Sequence, residues 1–246
     1  MSEPLAIVSG GTRGIGLALS SRLLRMGNRV VALYRQDDLS AEQAARELGA
    51  AFTALKCDVS IAADVAAAVN RIVADHGAPR VLINNAGRNI DRPFLDMTPE
   101  EWQQVLDVNL TGAFLLTKAT VPHMFSITDP VIINIGSTTA MRPRKLGANY
   151  CASKAGLVHL TKCLALELAP AIRVNCLIPG MTETDELIDR FDLQNPVALA
   201  RVLDEIPRHR LGQADDIADA LEFLIGTKSS YINGQKLIVD GGQFMW

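Results

Sequence analysis

The sequence has few of the features that mark membrane, nucleic-acid-binding or secreted proteins. Aromatic side chains make up 5% of its 246 residues, and the formal net charge is only −3. That balance gives no general attraction to nucleic acid or to anionic lipid. No apolar run is long enough to span a bilayer, and no basic segment with a cleavage site precedes the first apolar run. We therefore expect a cytoplasmic protein with neither a membrane nor a nucleic-acid partner.

Cysteine and histidine are equally sparse, and neither shows the spacing of metal ligands. The four cysteines contain no CxxC pair, and the four histidines are scattered along the chain. Reduced structural thiols are the expected interpretation, and no metal site is predicted.

The sequence is rich instead in short aliphatic runs that alternate with helical patterns. Strands are predicted at residues 5–9, 29–34, 52–57, 81–84, 131–135, 173–178 and 236–239. Helices are predicted at residues 15–26, 40–48, 61–76, 99–124, 152–169 and 214–225. This alternation is typical of a parallel sheet covered on both faces. With no linker or repeat to divide it, the chain is predicted to be a single doubly wound α/β domain of Rossmann type over residues 1–246, with seven parallel strands.

One long segment, residues 181–211, interrupts the alternation. It contains two prolines, begins with acidic residues and ends with basic ones. Loops of this length inside a compact domain usually have a function of their own. We predict that residues 181–211 form a lid over the substrate.

The first strand leads into the glycine-rich turn Ser9-Gly-Gly-Thr-Arg-Gly-Ile-Gly16. Such a turn lets backbone N–H groups approach a pyrophosphate at the positive end of the following helix. The spacing is Gly-x3-Gly-x-Gly rather than the commoner Gly-x-Gly-x2-Gly, so its position after a strand and before a helix carries the prediction. The residues expected to bind the cofactor here are Gly10, Thr12, Arg13, Gly14, Ile15 and Gly16.

The end of the second strand indicates which dinucleotide is bound. NADP sites place arginine there for the 2′-phosphate, whereas NAD sites place a carboxylate. Arg35 ends this strand and Arg13 lies in the glycine turn, which predicts NADP(H). Asp37 and Asp38 follow closely and leave NAD open. Asp58, after the third strand, is placed either to hold the adenine or to cap a helix.

The most informative spacing is Ser137-x12-Tyr150-x3-Lys154. Residues four apart share a helix face, so the Lys154 ammonium is expected beside the Tyr150 hydroxyl. A phenol on its own transfers protons poorly near neutral pH, and an adjacent fixed positive charge makes it more effective.

Taken together, these motifs resemble the short-chain dehydrogenase/reductase family, and the match runs from about Pro4 to Gly242. The motifs that appear in family order are the glycine turn, Asn84-Asn-Ala-Gly87, Asn109, Ser137, Tyr150-x3-Lys154 and Pro179-Gly180. Within the family, residues 172–180 and 231–242 most resemble the 3-oxoacyl-(acyl-carrier-protein) reductases.

The resemblance implies a role for each matching residue. Tyr150 would give its proton to a substrate carbonyl, and Ser137 would hydrogen-bond the same oxygen. Lys154 would hold the nicotinamide ribose, and Asn109 would bind a water that connects Lys154 to solvent. Asn109 also has a buried structural interpretation. The remaining residues expected around the cofactor are Val59, Asn85, Ala86, Gly87, Pro179, Gly180, Thr182 and Thr184, although Asn84–Gly87 and Pro179-Gly180 could be mainly structural.

The implied function is NADPH-dependent reduction of a ketone, a 3-oxoacyl thioester or related carbonyl, to a secondary alcohol. Two alternatives stay open: NAD(P)-dependent oxidation of a cyclic or sugar-like alcohol, and a non-catalytic dinucleotide-binding partner subunit. The basic residues that receive an acyl carrier in such reductases are missing at residues 124–130, and residues 167–173 are about one residue short. Arg142, Arg144 and Lys145 could grip a substrate anion or form a solvated loop.

Assembly is also implied by the resemblance. Helices at about residues 101–124 and 152–169 commonly pair across a two-fold axis in this family, and the C-terminal strand often completes a tetramer. The apolar ending Phe244-Met-Trp246 fits a subunit contact. A homotetramer or homodimer is predicted.

Overall fold

The computed structural model describes residues 3–245 and contains a seven-stranded sheet in which all neighbouring strands are parallel, in the order β3-β2-β1-β4-β5-β6-β7. The strands are Leu5–Ser9 (β1), Arg29–Tyr34 (β2), Phe52–Lys56 (β3), Pro79–Asn84 (β4), Val131–Ile135 (β5), Arg173–Pro179 (β6) and Lys236–Val239 (β7). Central strands read as continuous aliphatic runs because both of their faces are covered. The predicted seven-stranded doubly wound fold is confirmed.

Helices cover both faces of this sheet. They are Gly14–Arg25 (α1), Asp38–Leu48 (α2), Ala62–His76 (α3), Pro99–Leu106 (α4), Gly112–Met124 (α5), Ala148–Glu167 (α6), Asp185–Arg190 (α7), Pro196–Asp204 (α8) and Ala214–Ile225 (α9). Ala6 and Val8 of β1 pack with apolar residues of α1 and α9, whereas Leu5 and Ile7 pack with those of α3 and α5. Period-two alternation along one strand therefore supplies two separate cores.

The order of the strands determines where a ligand can bind. The chain runs outward from β1 through β2 to β3, and then returns to place β4 on the other side of β1. Loops leaving β1 and β4 therefore diverge and leave a crevice at the carboxyl ends of these strands. The glycine turn follows β1 and Asn85 follows β4, so both reach this crevice.

The predicted helix at residues 99–124 is interrupted by one turn of π-helix, Asp107–Thr111, between α4 and α5. Such turns are frequent at functional sites, and Asn109 lies in this one. Helix α6 begins at Ala148 rather than at the predicted residue 152. Tyr150 therefore lies in the first turn of α6, together on one helix with Lys154.

The segment 181–211 was predicted as a loop, and that prediction is wrong in detail because the segment contains α7 and α8. Both helices begin with a side-chain cap, from Thr184 and Asn195, and these caps satisfy backbone N–H groups that a loop would leave to water. A bridge between Thr182 and Gly212 joins the two ends of the segment. A bond from Gln213 Nε2 to Glu183 Oε2, 2.7 Å long, reinforces that closure. Its role as a lid stays a prediction.

Among residues 3–245, no helix combines the length and the apolar character needed to cross a membrane. The same residues contain no group of three or more His, Cys, Asp or Glu side chains placed to hold a metal ion. Trp246, part of the predicted apolar subunit contact, lies outside the described residues.

Candidate active site

A cleft of about 950 Å³ runs along the carboxyl edge of the sheet and joins the predicted motifs. The predicted residues that line it are Gly10, Thr12, Arg13, Gly14, Ile15, Arg35, Asp58, Val59, Asn85, Ala86, Gly87, Ser137, Tyr150, Lys154, Pro179, Gly180, Thr182 and Thr184. Gly16 and Asn109 were predicted with them but lie behind the cleft wall. The structure thus brings together residues from the ends of six strands.

The glycine turn is built for close approach of backbone to a ligand. Gly10 and Gly14 have positive φ angles of 64° and 53°, a conformation that favours glycine. Helix α1 begins at Gly14, so its free N–H groups lie at the cleft. A Cβ at Gly16 would stand 2.0 Å from the Gly10 carbonyl oxygen. Gly16 therefore serves helix–strand packing, whereas Gly10 and Gly14 shape a site that fits a pyrophosphate.

Asn85 holds the glycine turn in place. Its Nδ2 donates to the carbonyl oxygens of Ser9 and Gly10, both at 3.0 Å. The Ser9 hydroxyl in turn accepts from the backbone N–H groups of Asn85 and Ala86, both at 3.0 Å. These bonds tie the ends of β1 and β4 together. The sequence predicted that Asn85 binds the cofactor, and missed Ser9 as its partner.

Two cations lie at the far end of the cleft, near the end of β2. Arg13 is 76% exposed at its side chain, with Nη1 3.9 Å from Asp37 Oδ2. Asp37 caps α2 through Ser40, and its hydrogen bonds to Ser40, with help from Arg13, lower the pKa of the Asp37 carboxyl. Asp38 is bonded to Lys56 Nζ at 2.9 Å. Both carboxylates that left NAD open are thus engaged within the protein.

Asp58 does not cap α3, whose N-cap residue is Ile61 without a side-chain cap. Its role in holding the adenine stays a prediction. Asp58 Oδ1 accepts from the backbone N–H and hydroxyl of Ser60, at 3.0 and 2.6 Å, and so fixes the turn before α3. Its Oδ2 lies 3.9 Å from Arg35 Nη1 within the cleft lining. Arg35 is 41% exposed at its side chain, so its guanidinium is both oriented by Asp58 and open to a ligand.

Tyr150 and Lys154 share a face of α6, as their spacing predicts. Lys154 is only 3% exposed, and its Nζ donates to the carbonyl oxygen of Ile135 at 2.8 Å. The same ammonium lies 5.7 Å from the centre of the Tyr150 ring. The end of β5 therefore fixes the ammonium over the phenol ring, a contact that spacing along one helix did not predict.

The Ser137 hydroxyl lies at the end of β5, and its oxygen accepts from Thr139. The two donors are the Thr139 hydroxyl at 2.9 Å and the Thr139 backbone N–H at 3.3 Å. With its lone pairs used in this way, Ser137 has its own proton left to donate into the cleft. Ser137 was predicted from the sequence, but its partner Thr139 was not. The sequence offered no indication of Thr139 beyond its position two residues after Ser137.

Asn109 is 1% exposed and clamps the backbone of Arg88. Its Oδ1 accepts from the Arg88 N–H at 2.7 Å, and its Nδ2 donates to the Arg88 carbonyl at 3.0 Å and to Ser153 Oγ at 3.0 Å. These contacts of Asn109 agree with the buried structural role that the sequence left open for it. The relay water remains a prediction.

The start of the lid segment lies across the glycine turn. Thr184 caps α7 by accepting from the Leu187 N–H at 3.2 Å. Its methyl carbon is 3.6 Å from the point where a Cβ of Gly14 would stand. Thr182 is 3% exposed, and Gly180 is packed so tightly that a Cβ there would be 2.5 Å from Asp240 Cβ. Pro179 and Gly180 therefore have a packing role as well as a place in the lining.

The three cations before α6 have different environments. Lys145 is exposed and does not line the cleft, as a solvated loop predicts. The Arg142 guanidinium lies 5.0 Å from the centre of the Phe244 ring at the cleft. Arg144 is only 23% exposed at its side chain and is paired with Asp91. Sequence reasoning missed Asp91 because nothing in its own segment links it to a residue 53 positions away.

The cleft as a whole fits a nicotinamide dinucleotide. Glycines with open backbone face one section of it, two guanidinium groups face its far end, and a hydroxyl, a phenol and an ammonium meet at the other end. The fold defines a doubly wound, dinucleotide-binding α/β protein.

Comparison with known proteins makes the assignment specific. A family model described as enoyl-(acyl carrier protein) reductase matches residues 10–243. The 3-oxoacyl-[acyl-carrier-protein] reductase FabG of Escherichia coli is 36% identical over 242 residues, which cover 98% of this chain and 97% of that protein. The chain belongs to the short-chain dehydrogenase/reductase family of oxidoreductases.

Solved structures agree with this assignment. A 3-ketoacyl-(acyl-carrier-protein) reductase from Brucella melitensis, complexed with NADH, superimposes with a TM-score of 0.89 at 36% identity over 99% of both chains. A gluconate 5-dehydrogenase from Burkholderia cenocepacia, in complex with NADP and tartrate, gives a TM-score of 0.90 at 33% identity, covering 99% of this chain and 96% of the other. Proteins of similar structure therefore carry the names of different activities, and their crystals contain different dinucleotides.

Proposed function

We propose that this protein reduces the ketone of a 3-oxoacyl thioester, or a related carbonyl, to a secondary alcohol with NADPH. The observation that carries the proposal is the meeting of Ser137, Tyr150 and Lys154 at one end of the cleft. A hydroxyl with a free proton, a phenol and a buried ammonium are the groups that polarise and protonate a carbonyl oxygen.

In this proposal, the residues of the chain bind and orient the carbonyl and move its proton. Ser137 donates a hydrogen bond to the carbonyl oxygen, because its own oxygen is satisfied by Thr139. Tyr150 transfers its phenolic proton to the same oxygen as charge develops there. Lys154, fixed by Ile135, supplies positive charge beside the phenol ring and binds the ribose of the cofactor. When bound, the dinucleotide supplies the hydride.

The preference for NADPH rests on the charges at the far end of the cleft. Arg13 and Arg35 are exposed there, whereas Asp37 and Asp38 are engaged by Ser40 and Lys56. A 2′-phosphate gains charge-assisted hydrogen bonds from guanidinium groups. A 2′-hydroxyl would gain little from the same groups. We therefore propose NADP(H) as the cofactor.

The proposed thioester substrate follows from the relatives. Proteins named 3-oxoacyl-(acyl-carrier-protein) reductase match nearly the whole chain. The missing cations at residues 124–130 favour a substrate that does not depend on carrier docking at that surface. An acyl group on coenzyme A is the corresponding small-molecule substrate.

Oxidation of a sugar-like alcohol is the second candidate, and the gluconate 5-dehydrogenase structure favours it. The same residues would act in reverse, with Tyr150 accepting the proton of the alcohol. Reduction of an enoyl thioester is a further reaction to test, because the matching family model carries that description.

The deciding experiment is NADPH oxidation against a panel, with NADH in parallel. The panel contains a 3-oxoacyl-CoA, an enoyl-CoA and a cyclic ketone, and sugar acids are offered with NADP⁺ and NAD⁺. Turnover of the 3-oxoacyl-CoA with NADPH is the expected result. Turnover of only the sugar acid, or only the enoyl thioester, would replace the proposal with that reaction. Tight dinucleotide binding without any turnover would favour the non-catalytic partner subunit.

We also propose a homotetramer or homodimer and a cytoplasmic location. Apolar side chains remain exposed on the helices that would pair, with Leu166 of α6 at 82% and Phe114 of α5 at 44%, and Met245 is 82% exposed near the chain end. Size-exclusion chromatography with light scattering is expected to show a dimer or larger. A monomer at all concentrations would reject the assembly.

A further inference from the structure

Arg144 stands out among the cleft residues because it lies in an otherwise exposed loop yet is largely buried. Its neighbours Pro143 and Lys145 are exposed, whereas the Arg144 side chain is 23% exposed. Lysine and arginine side chains in loops normally keep their charge in water, since desolvation is costly. A buried guanidinium in this position therefore needs partners, and the structure supplies them.

The partners of Arg144 come from the segment that follows β4. Arg144 Nη2 donates to Asp91 Oδ1 at 2.5 Å and to Asn89 Oδ1 at 2.7 Å. Asn89 Nδ2 donates to the same Asp91 oxygen at 2.7 Å, which closes a triangle of three side chains. The triangle joins the loop before α6 to the loop after β4, and both loops contribute residues to the lining of the cleft.

The Asp91 carboxyl group is ionised at neutral pH. Burial opposes ionisation of Asp91, but hydrogen bonds from Arg144 and Asn89 and the charges of Arg144 and Arg190 keep the pKa of that carboxyl below its usual value. Arg190 Nε, on α7, lies 4.0 Å from Asp91 Oδ2. A paired, partly buried guanidinium has far fewer available positions than a solvated one.

The guanidinium also contacts the catalytic ring. Its central carbon lies 5.8 Å from the centre of the Tyr150 ring, within the range of a cation–π interaction. On another side it is confined by Gly147, where a Cβ would stand only 2.9 Å from that carbon. Gly147 and Tyr150 thus lie against a guanidinium whose Nη2 group is bonded to Asn89 and Asp91.

We propose that Arg144, anchored by Asn89 and Asp91, is a positioning residue that fixes the ring of Tyr150 for proton transfer. Tyr150 lies in the first turn of α6, and Gly147 offers that helix end no side-chain cap. Lys154 approaches the ring from the helix itself, whereas Arg144 links the ring to the loop that follows β4. Displacement of a proton donor by about 1 Å can cost about a hundred-fold in rate.

The first test measures the ring directly and needs no substrate. The chain has three tyrosines, Tyr34, Tyr150 and Tyr231, so 3-fluorotyrosine labelling gives three ¹⁹F resonances, and Tyr150→Phe assigns the one of interest. Arg144→Gln and Asp91→Asn are expected to move or broaden the Tyr150 resonance. Lys145→Gln, an exposed charge one residue away, is the matched control and should leave it unchanged. An unmoved Tyr150 resonance in both Arg144→Gln and Asp91→Asn would overturn the proposal.

The second test is kinetic and rests on the proposed reductase function. Arg144→Gln is expected to lower kcat by about ten-fold to a hundred-fold, with KM for NADPH changed less than about two-fold. Arg144→Lys, which keeps charge but not the fork, should recover part of the loss. The double variant Asp91→Asn with Arg144→Gln should be no slower than Arg144→Gln alone, because both act through one contact. An unchanged kcat in Arg144→Gln would reject the positioning role.

The two tests separate failure of this proposal from failure of the proposed function. If the wild-type protein turns over no carbonyl in the panel, the reductase function fails and the fluorine resonances alone judge the role of Arg144. If wild type is active and the Tyr150 resonance does not respond to either variant, the positioning role is wrong while the reductase stands.

Discussion

The cleft has two ends that are built in different ways. The nucleotide end is lined by the glycine turn and by Arg13 and Arg35, and the substrate end is lined by Ser137, Tyr150 and Arg144. At the nucleotide end, Ser9 and Asn85 bond to the backbone and hold the glycine turn, and the N-terminus of α1 opens on the cleft. At the substrate end, side chains on loops face the cleft directly, and Arg144 and Arg190 converge on Asp91 from different segments. Ligand binding at the nucleotide end depends on how closely the backbone of the glycine turn can approach the ligand. Ligand binding at the substrate end depends on which side chains the loops carry.

The nucleotide end of the cleft is suited to any nicotinamide dinucleotide, whereas the substrate end is specific to this chain. A backbone cradle can hold the pyrophosphate that every nicotinamide dinucleotide contains. Loops at the carboxyl edge can change without disturbing the sheet, so they set substrate preference on a shared scaffold. Relatives that superimpose closely on this chain nevertheless carry the names of a ketoacyl reductase and a gluconate dehydrogenase.

The largest expected effect is that of Tyr150→Phe, which should reduce turnover at the substrate end and leave cofactor binding at the nucleotide end unchanged. Tyr150→Phe should lower kcat by about 10²- to 10⁴-fold, the usual contribution of a general acid. NADPH binding, followed by fluorescence titration, should stay the same because the backbone cradle is untouched. Tyr231→Phe, at a fully exposed tyrosine, is the control. Undiminished turnover in Tyr150→Phe would show that the proton comes from elsewhere.

A glycine substitution in the glycine turn tests the nucleotide end of the cleft. Gly16→Ala places a Cβ 2.0 Å from the Gly10 carbonyl oxygen, and overpacking of this kind costs about 1–3 kcal/mol of unfolding free energy. Because the turn must shift, NADPH affinity should fall as well. Gly27→Ala is the matched control, since its φ of 80° makes alanine strained while nothing lies within 4 Å. Equal loss of NADPH affinity in both variants would contradict the close-approach argument.

The third prediction concerns the choice between NADPH and NADH, which we attribute to Arg35 at the nucleotide end of the cleft. Arg35→Ala should weaken NADPH by about ten-fold or more, since a hydrogen bond to a charged group contributes about 1.5–3 kcal/mol. NADH should change by less than about two-fold. Arg46→Ala removes an exposed arginine from α2, outside the cleft lining, and should alter neither. Equal weakening of both dinucleotides would mean that Arg35 does not meet the 2′-phosphate.

The smallest expected effect concerns the base of the lid segment. Hydrogen bonds from Arg210 lower the pKa of Asp216 to about 2 against the opposing effect of burial. A depressed pKa means that the pair stabilises the folded state above the ordinary carboxyl pKa and that this stabilisation is lost as pH falls toward the folded-state value. Asp216→Asn should therefore lose up to about 1 kcal/mol at pH 7.

Urea unfolding of Asp216→Asn and of the wild type across a pH series checks this prediction. The difference in unfolding free energy should stay constant down to about pH 5 and narrow below about pH 4. Asp75→Asn, in an exposed ion pair with Arg71 on α3, provides the control for loss of a surface carboxylate. A difference that widens as the pH falls would contradict the sign of the linkage.

Much of the fold could be predicted because its signals are local. Each strand is a short aliphatic run bounded by turn residues, and all seven are present within two residues of the predicted bounds. The helix starts were harder to predict. Helix α6 begins before the apolar pattern does, because Asn149 bonds the Tyr150 N–H at 2.7 Å and fixes the first turn. The π-turn around Asn109 was missed because the sequence pattern continues as one helix through it, while the contact that Asn109 makes there is with Arg88, from another segment.

The family, and most of the residues that line the cleft, could be predicted from the sequence, because the motifs are short and those that follow strands have fixed places in a doubly wound sheet. What those residues contact depends on how the chain folds in three dimensions. The fold fixed Lys154 to Ile135, gave Ser137 a hydroxyl partner in Thr139 and paired Arg144 with Asp91. The pairing of Arg144 joins residues 53 positions apart, and no local pattern encodes which loops meet across a sheet edge.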